Sequence, residues 1–488
     1  MAFALPPLVL AAVVWWPLLR CYFHADDFID LQSIANDPWA AYLFRPVAGH
    51  IFLIRHAIFS VLHRLTGPRP DWFFLGVFAT HLANVALVFA TIEALTASAH
   101  LACFGAALWG ASPLNEGALG WYSNYGYVLV GAFVSYVIYR LARHRRDVTP
   151  VPRREVLSWC VALFLASLSV GVGIAVALVL PVVVALAIPR ERLVGSRGIL
   201  WLFPLVVVAT YAAITSFFGP LAGEPSGGFF ATLRLASDVG KDVAMLLHLL
   251  GFGMVGVLGG FWLPLAYPGP LAYTVAGLFA VAVAGTVAVA PATRRLLAPL
   301  CVLTLANYAI IAAGRASFYA AIGTRAYGAT QTRYHYVGAM LLTMILCIGL
   351  AQLRAPESRR TILLVAWFAF LAIAFANSGW HIDQHDDDRR HTAIVVEAIK
   401  SEIDRTPPGA PAYVRNRLFV PAGIMSAPYF AGWAAAFTIF FPDDVVDGRS
   451  VFFVEPDPRV RQIARPGTRL ARVLVPAAGA TDGPGADR

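Results

Sequence analysis

Long apolar runs broken by short polar joints make up most of this chain. A helix needs ~20 residues to cross a bilayer. On that measure the runs predict spans at 5–23, 72–96, 99–112, 125–141, 156–171, 173–188, 199–218, 272–290, 297–314, 335–352 and 361–376. The fifth and sixth nearly touch, with the turn at Gly171 and Gly173. Residues 47–65 are apolar too, but they carry Arg55, His56, His63 and Arg64. That load is costly in hydrocarbon, so the segment reads as an amphipathic helix on the membrane surface.

The charged joints set the orientation. Arg140, Arg143, Arg145, Arg146, Arg153 and Arg154 fill one, and Arg190, Arg192 and Arg197 a second. Arg294 and Arg295 mark a third, and Arg354, Arg359 and Arg360 a fourth. Cytoplasmic loops carry the excess of basic residues, and eleven spans with the N-terminus inside put all four there. Residues 238–262 are long enough to cross, but a crossing would move Arg294 and Arg295 outside and invert every later loop. They therefore read as re-entrant or surface-lying.

The outer side then receives loops 24–71, 113–124, 219–271 and 315–334 and the tail from 377. In the tail, His381 to Lys400 reads as a helix. Segments near 412–420, 436–441, 450–454 and 470–475 read as short strands. Ala477 to Arg488 reads as disordered. The expected fold is an all-α polytopic membrane domain over 1–376, with about eleven transmembrane helices and outer-surface juxtamembrane helices. A small extracytoplasmic α/β domain over 377–488 follows it.

Composition agrees. Of 488 residues 59% are hydrophobic and 13% charged, with a mean hydropathy of +0.68. Soluble domains carry about 25% charged residues, so a soluble chain is excluded. The net charge of +9 lies in joints between apolar runs, which argues against nucleic acid as a partner. Lysine occurs only at Lys241 and Lys400, which suggests a GC-rich, bacterial genome and hence the cytoplasmic (inner) membrane. Cys21, Cys103, Cys160, Cys301 and Cys347 lack metal-ligand spacing and read as small buried hydrophobes. The first apolar run has no small-residue cleavage site after it and reads as a retained span. The absence of a Walker sequence, a dinucleotide fingerprint and HExxH argues against an ATP-driven pump and a zinc protease.

Candidate chemistry gathers on the outer side. Asp26 and Asp27 follow the first span, ahead of Phe44-Arg45-Pro46. Such a pair can cap a helix, accept a proton from a hydroxyl, or hold a divalent cation. The loop after the third span carries Asn115, Glu116 and Trp121, groups suited to sugar hydroxyls and sugar faces; aromatics there also suit an interfacial belt. Arg315, Arg325 and Gln331-Thr332-Arg333-Tyr334-His335-Tyr336 lie in the fourth outer loop. Arginine on this side asks for an anion: a lipid phosphate, or the carboxylates of Asp26, Asp27 or Glu116. His81 and Asn84, one turn apart in the second span, read as interhelix packing contacts. The His381 to Asp388 run has too evenly strewn a ligand set for one metal geometry and reads as a solvated helix start.

The order of these features resembles a family. An outer acidic pair, "FRPV", "HLAN", "SPLNEGALGW" and "TRYHY" over roughly residues 5–355 are similar to the GT-C superfamily of integral-membrane glycosyltransferases. The nearest echoes are the protein O-mannosyltransferases and the aminoarabinose transferases of lipid A. The resemblance implies many spans, surface helices in the first outer loop, a polyprenyl-phosphate sugar as donor, an extracytoplasmic acceptor hydroxyl, inversion at the anomeric carbon and no required cofactor. Carried over, Asp26 is the catalytic base, with Asp27 second. Arg333 meets the donor phosphate, with Tyr334 and His335 beside it. Arg45 orients the acidic pair or joins the phosphate site. Glu116 is an acidic substrate contact, and Asn115, Trp121, Arg325 and Gln331 complete the expected substrate surface. Val170-Gly171-Val172-Gly173 departs from the Lys-Glu pair that relatives often have between the fifth and sixth spans. Three other functions compete: a lipid or polysaccharide transporter, a glycan polymerase or ligase using a lipid diphosphate, and a membrane scaffold.

Overall fold

In lipid every backbone polar group must be satisfied within its own segment, so apolar runs become helices. A computed structural model describes residues 2–21, 23, 26–47, 50–146, 149–218, 239–259, 270–289, 291–321 and 328–352. Beyond these it describes 405, 407, 412–415 and 451–454. The chain is an integral membrane protein. Among the described residues five helices are long and apolar enough to cross a membrane: Pro70–Thr96, Tyr122–Arg145, Arg197–Phe217, Gly240–Val257 and Thr293–Ala316.

The helices are α1 (Leu5–Trp15), α2 (Asp26–Asn36), α3 (Trp39–Phe44), α4 (Leu53–Thr66), α5 (Pro70–Thr96), α6 (Ala99–Gly110) and α7 (Glu116–Leu119). Then follow α8 (Tyr125–Arg146), α9 (Arg153–Ser167), α10 (Gly171–Leu178), α11 (Leu180–Ala187) and α12 (Arg197–Phe217). The last are α13 (Val239–Gly259), α14 (Pro270–Val289), α15 (Pro291–Ala321) and α16 (Tyr336–Ala351). Local signals set several ends. Proline opens α5, where its missing N–H costs nothing. The Ser98 hydroxyl caps α6 by accepting from the Leu101 N–H.

A buried polar knot fixes the centre. His81 and Asn84 both bond the Tyr336 hydroxyl, at 2.9 and 3.1 Å. The other ring nitrogen of His81 meets the Gly110 carbonyl at 2.8 Å, and Asn84 also donates to the Val128 carbonyl. These are interhelix packing contacts, tying α5, α6, α8 and α16 together. The two ends of the bundle differ chemically. Arg145 and Arg295 line one cavity, so the end of α8 and the start of α15 share a basic end. There Glu155 accepts two 2.6 Å bonds from Arg140. The first outer loop, α7 and the "TRYHY" turn meet at the opposite, acidic end.

Several expectations change. Residues 239–259 form one continuous helix, long and apolar enough to cross a membrane, with Met245, Leu249 and Phe252 buried. A side chain on Gly256 would press on Leu114, so α13 ends at the acidic end. Arg295 lines the cavity at the basic end, and Arg333 lies beside α7 at the acidic one. Helix α4 forms as expected, but Arg55 and His56 are 3% and 1% exposed and point into the protein. Arg315 is on α15, which runs on to Ala321, and not in a loop. Strands Ala412–Arg415 and Val451–Val454 pair in parallel. The span at 361–376, the helix at 381–400, the strands at 436–441 and 470–475, the disordered end and Arg325 lie outside the described residues.

Candidate active site

Helix α2 opens with Asp26 and Asp27 in its first turn, where the helix dipole favours carboxylates. Adjacent helical residues point about 100° apart, and the two acids meet different surroundings. Asp27 is fully buried, and its Oδ1 accepts from the Ser123 N–H at 2.7 Å and the Ser123 hydroxyl at 2.6 Å. One turn on, Asp30 is buried against Arg55 at 3.0 Å and His56 at 3.4 Å. The second amino group of Arg55 donates to the Ser123 carbonyl at 2.6 Å. Asp27 and Arg55 thus grip the Tyr122–Asn124 turn from two sides and lock α2 to α4.

Asp26 is different. It is partly exposed and makes no side-chain hydrogen bond among the described residues. Loss of water and the nearby Asp30 charge push its carboxyl up to about 6, against the pull of Arg55, Arg333 and Arg315. Such a group is ionised at neutral pH yet remains a usable base.

The facing wall is cationic. The turn Thr332–Tyr334 docks on α7: the Thr332 hydroxyl accepts from the Gly117 N–H at 2.9 Å and donates to Glu116 at 3.3 Å. Gly117 is required there, because a Cβ would collide with Thr332 Oγ1 and lie 2.9 Å from the Arg333 nitrogen. The Arg333 guanidinium sits 5.5 Å from the Trp121 ring centre and 5.1 Å from that of Tyr334. Arg315 bonds the His50 ring at 3.2 Å. Burial and Arg315 drive His50 down to about 3, so its ring is neutral and accepts that bond. A Cβ on Gly171 would collide with the same ring. Glycine at this position therefore makes room for His50. Burial alone would raise the Tyr334 phenol, but Arg315 and Arg333 pull it below its ordinary value. No carboxylate lies within ion-pair distance of Arg315 or Arg333 among the described residues.

Asp26, Glu116, Trp121, Arg333 and Tyr334 therefore share one end of the molecule. Other expected residues have protein partners. Arg45 pairs with Asp37 at 2.5 Å. His335 is fully buried and points inward, bonded to the Tyr308 hydroxyl at 3.0 Å and the Ala329 carbonyl at 2.7 Å. Asn115 is buried and donates to the Trp109 carbonyl, bracing its own turn. Gln331 helps form the turn, its carbonyl accepting from the Tyr334 N–H. The expectation missed Asp30 and His50 altogether. It noticed Arg55 and His56, but took them for surface residues. No group of three metal-ligating side chains that could hold an ion lies among the described residues.

No family model and no curated protein sequence matches this chain. The crystal structure of ArnT from Cupriavidus metallidurans bound to undecaprenyl phosphate does match, with a TM-score of 0.52 at 13% identity. The match covers 93% of this chain and 86% of that one. The chain shares the fold of that structure.

Proposed function

We propose that this chain is a membrane glycosyltransferase. It moves a sugar from a polyprenyl-phosphate donor to a hydroxyl of an extracytoplasmic acceptor, with inversion. The acceptor oxygen attacks the anomeric carbon as the bond from that carbon to the phosphate oxygen breaks. The hydroxyl proton passes to the Asp26 carboxylate, and polyprenyl phosphate departs with the bonding pair. Arg333 meets the developing phosphate charge, with Arg315 behind it; guanidinium forks match phosphate oxygens, and fixed charges at a water-poor site stabilise such a leaving group. No resident cofactor enters the scheme, since the two arginines supply the positive charge.

One observation carries this reading: a carboxylate with raised proton affinity makes no side-chain hydrogen bond among the described residues, and it feels two arginines that no described carboxylate pairs with. The undecaprenyl phosphate bound by ArnT supports the donor class. Mass spectrometry of co-purified lipids is expected to find a polyprenyl-phosphate sugar. With that donor, Asp26→Asn is expected to abolish transfer while donor binding persists, and Arg333→Ala to weaken donor binding. Near-normal turnover by Asp26→Asn would remove Asp26 from the role.

A further inference from the structure

Arg333 has no carboxylate within ion-pair distance among the described residues, yet two aromatic rings flank it. The rings are not equivalent. Tyr334 is its neighbour in the chain and shares its turn. Trp121 comes from a separate segment, the one that packs on the acidic helix. Its backbone is extended and leads into the Tyr122–Asn124 turn, which closes when the Asn124 N–H donates to the Trp121 carbonyl at 2.9 Å. Asp27 and Arg55 grip the middle of that turn through Ser123, and Asp27 adjoins Asp26 on α2. At the end of the turn the Asn124 side-chain amide donates to the Gly117 carbonyl at 2.7 Å. The Gly117 N–H in turn bonds the Thr332 hydroxyl, one residue before Arg333. One short turn therefore touches both walls of the site.

We propose that Trp121 is a positioning residue, whose ring holds the Arg333 guanidinium at a set place relative to Asp26. The inference rests on the reading of Arg333 as the group that meets the donor phosphate. A ring suits this task better than an acid. A carboxylate would occupy the guanidinium N–H groups and offset the charge. The negative face of an indole attracts the cation without accepting those N–H groups in a fork, so they are left for a phosphate. The Asn124–Gly117–Thr332 links carry the backbone of the Arg333 turn, and the Trp121 ring carries the side chain. This role differs from stacking on a sugar, and a ligand without a sugar separates the two.

The test uses the full chain, purified in neutral detergent, with undecaprenyl phosphate as probe and undecaprenol as its uncharged control. Dissociation constants are read by native mass spectrometry. Wild type is expected to prefer the phosphate. Trp121→Leu should weaken phosphate binding about tenfold, and Trp121→Phe, which keeps a ring, should restore it to within about threefold of wild type. In an Arg333→Gln background Trp121→Leu should have no further effect, because a positioning residue acts only through the group it positions. Unchanged phosphate binding by Trp121→Leu would assign the ring to the sugar or to the interface, and would overturn this inference alone. So would an undiminished loss in the Arg333→Gln background, or an equal loss for the control alcohol, since either would make Trp121 a structural part only. Wild type binding both lipids alike would overturn the proposed donor site and this inference together.

Discussion

An ionised Asp26 works against the fold that holds it, and the cost can be measured. Its carboxyl rises from 3.8 to about 6 on folding, chiefly through burial and then through Asp30. Each pH unit between those values is worth about 1.4 kcal/mol, so the charged form destabilises the folded protein by about 3 kcal/mol. Because the folded value lies above the unfolded one, the unfolded chain releases its proton first as pH rises. The contribution of the protonated form is complete below 3.8 and is lost as pH climbs through about 6. Asp26→Asn cannot ionise and escapes the loss. At pH 7.5 the variant should be more stable by about 3 kcal/mol, or about 3 °C in melting temperature for a chain of this length. Near pH 4.5 the gap should shrink to about 1 kcal/mol. Thermal melting of the purified protein across this pH range reads the difference directly. A variant that melts at or below the wild-type temperature at pH 7.5 would refute the account of Asp26 as a charge held at a cost.

Other substitutions separate the roles of the neighbouring groups. Asp27→Ala strands the Ser123 N–H and hydroxyl and should cost about 3 kcal/mol, seen as a lower melting temperature. Arg55→Gln leaves Asp30 buried without its main cation; it should destabilise by about 3 kcal/mol or more. It also removes a charge that lowers Asp26, so the acid limb of the pH–rate profile should move to higher pH. Gly117→Ala must spread α7 from the Thr332–Tyr334 turn; transfer efficiency should fall about tenfold, mainly through donor KM, with little change in melting.

The sequence carried the helices well because hydropathy and length are local. What it could not carry was rotation about a helix axis. Asp26 and Asp27 are equivalent as text, and their difference is made by Ser123, 96 residues downstream, which bonds Asp27 and not Asp26. Arg55 and His56 look out of place in an apolar run until Asp30 is brought beside them. Arg45 shows the converse: an "RP" motif in the expected position, drawn off by a local partner, Asp37. Helix α13 fails for a third reason, since length alone does not say that its end docks beside Leu114.

The fold treats the arginines at the acidic end in two ways. Arg55 is 3% exposed and is neutralised by Asp30, so it serves the architecture. Arg315 and Arg333 are only partly exposed, and tyrosines and a neutral histidine surround them in place of acids. An uncompensated cation with little water costs several kcal/mol, and a nearby carboxylate would remove that cost. The candidate carboxylate is present, in Asp26, but it makes no side-chain hydrogen bond among the described residues, and its proton affinity still rises despite the pull of both arginines. Opposite charges that the described residues leave unpaired at one end suit an anion beside a hydroxyl, which is the charge pattern that the proposed donor and acceptor would bring.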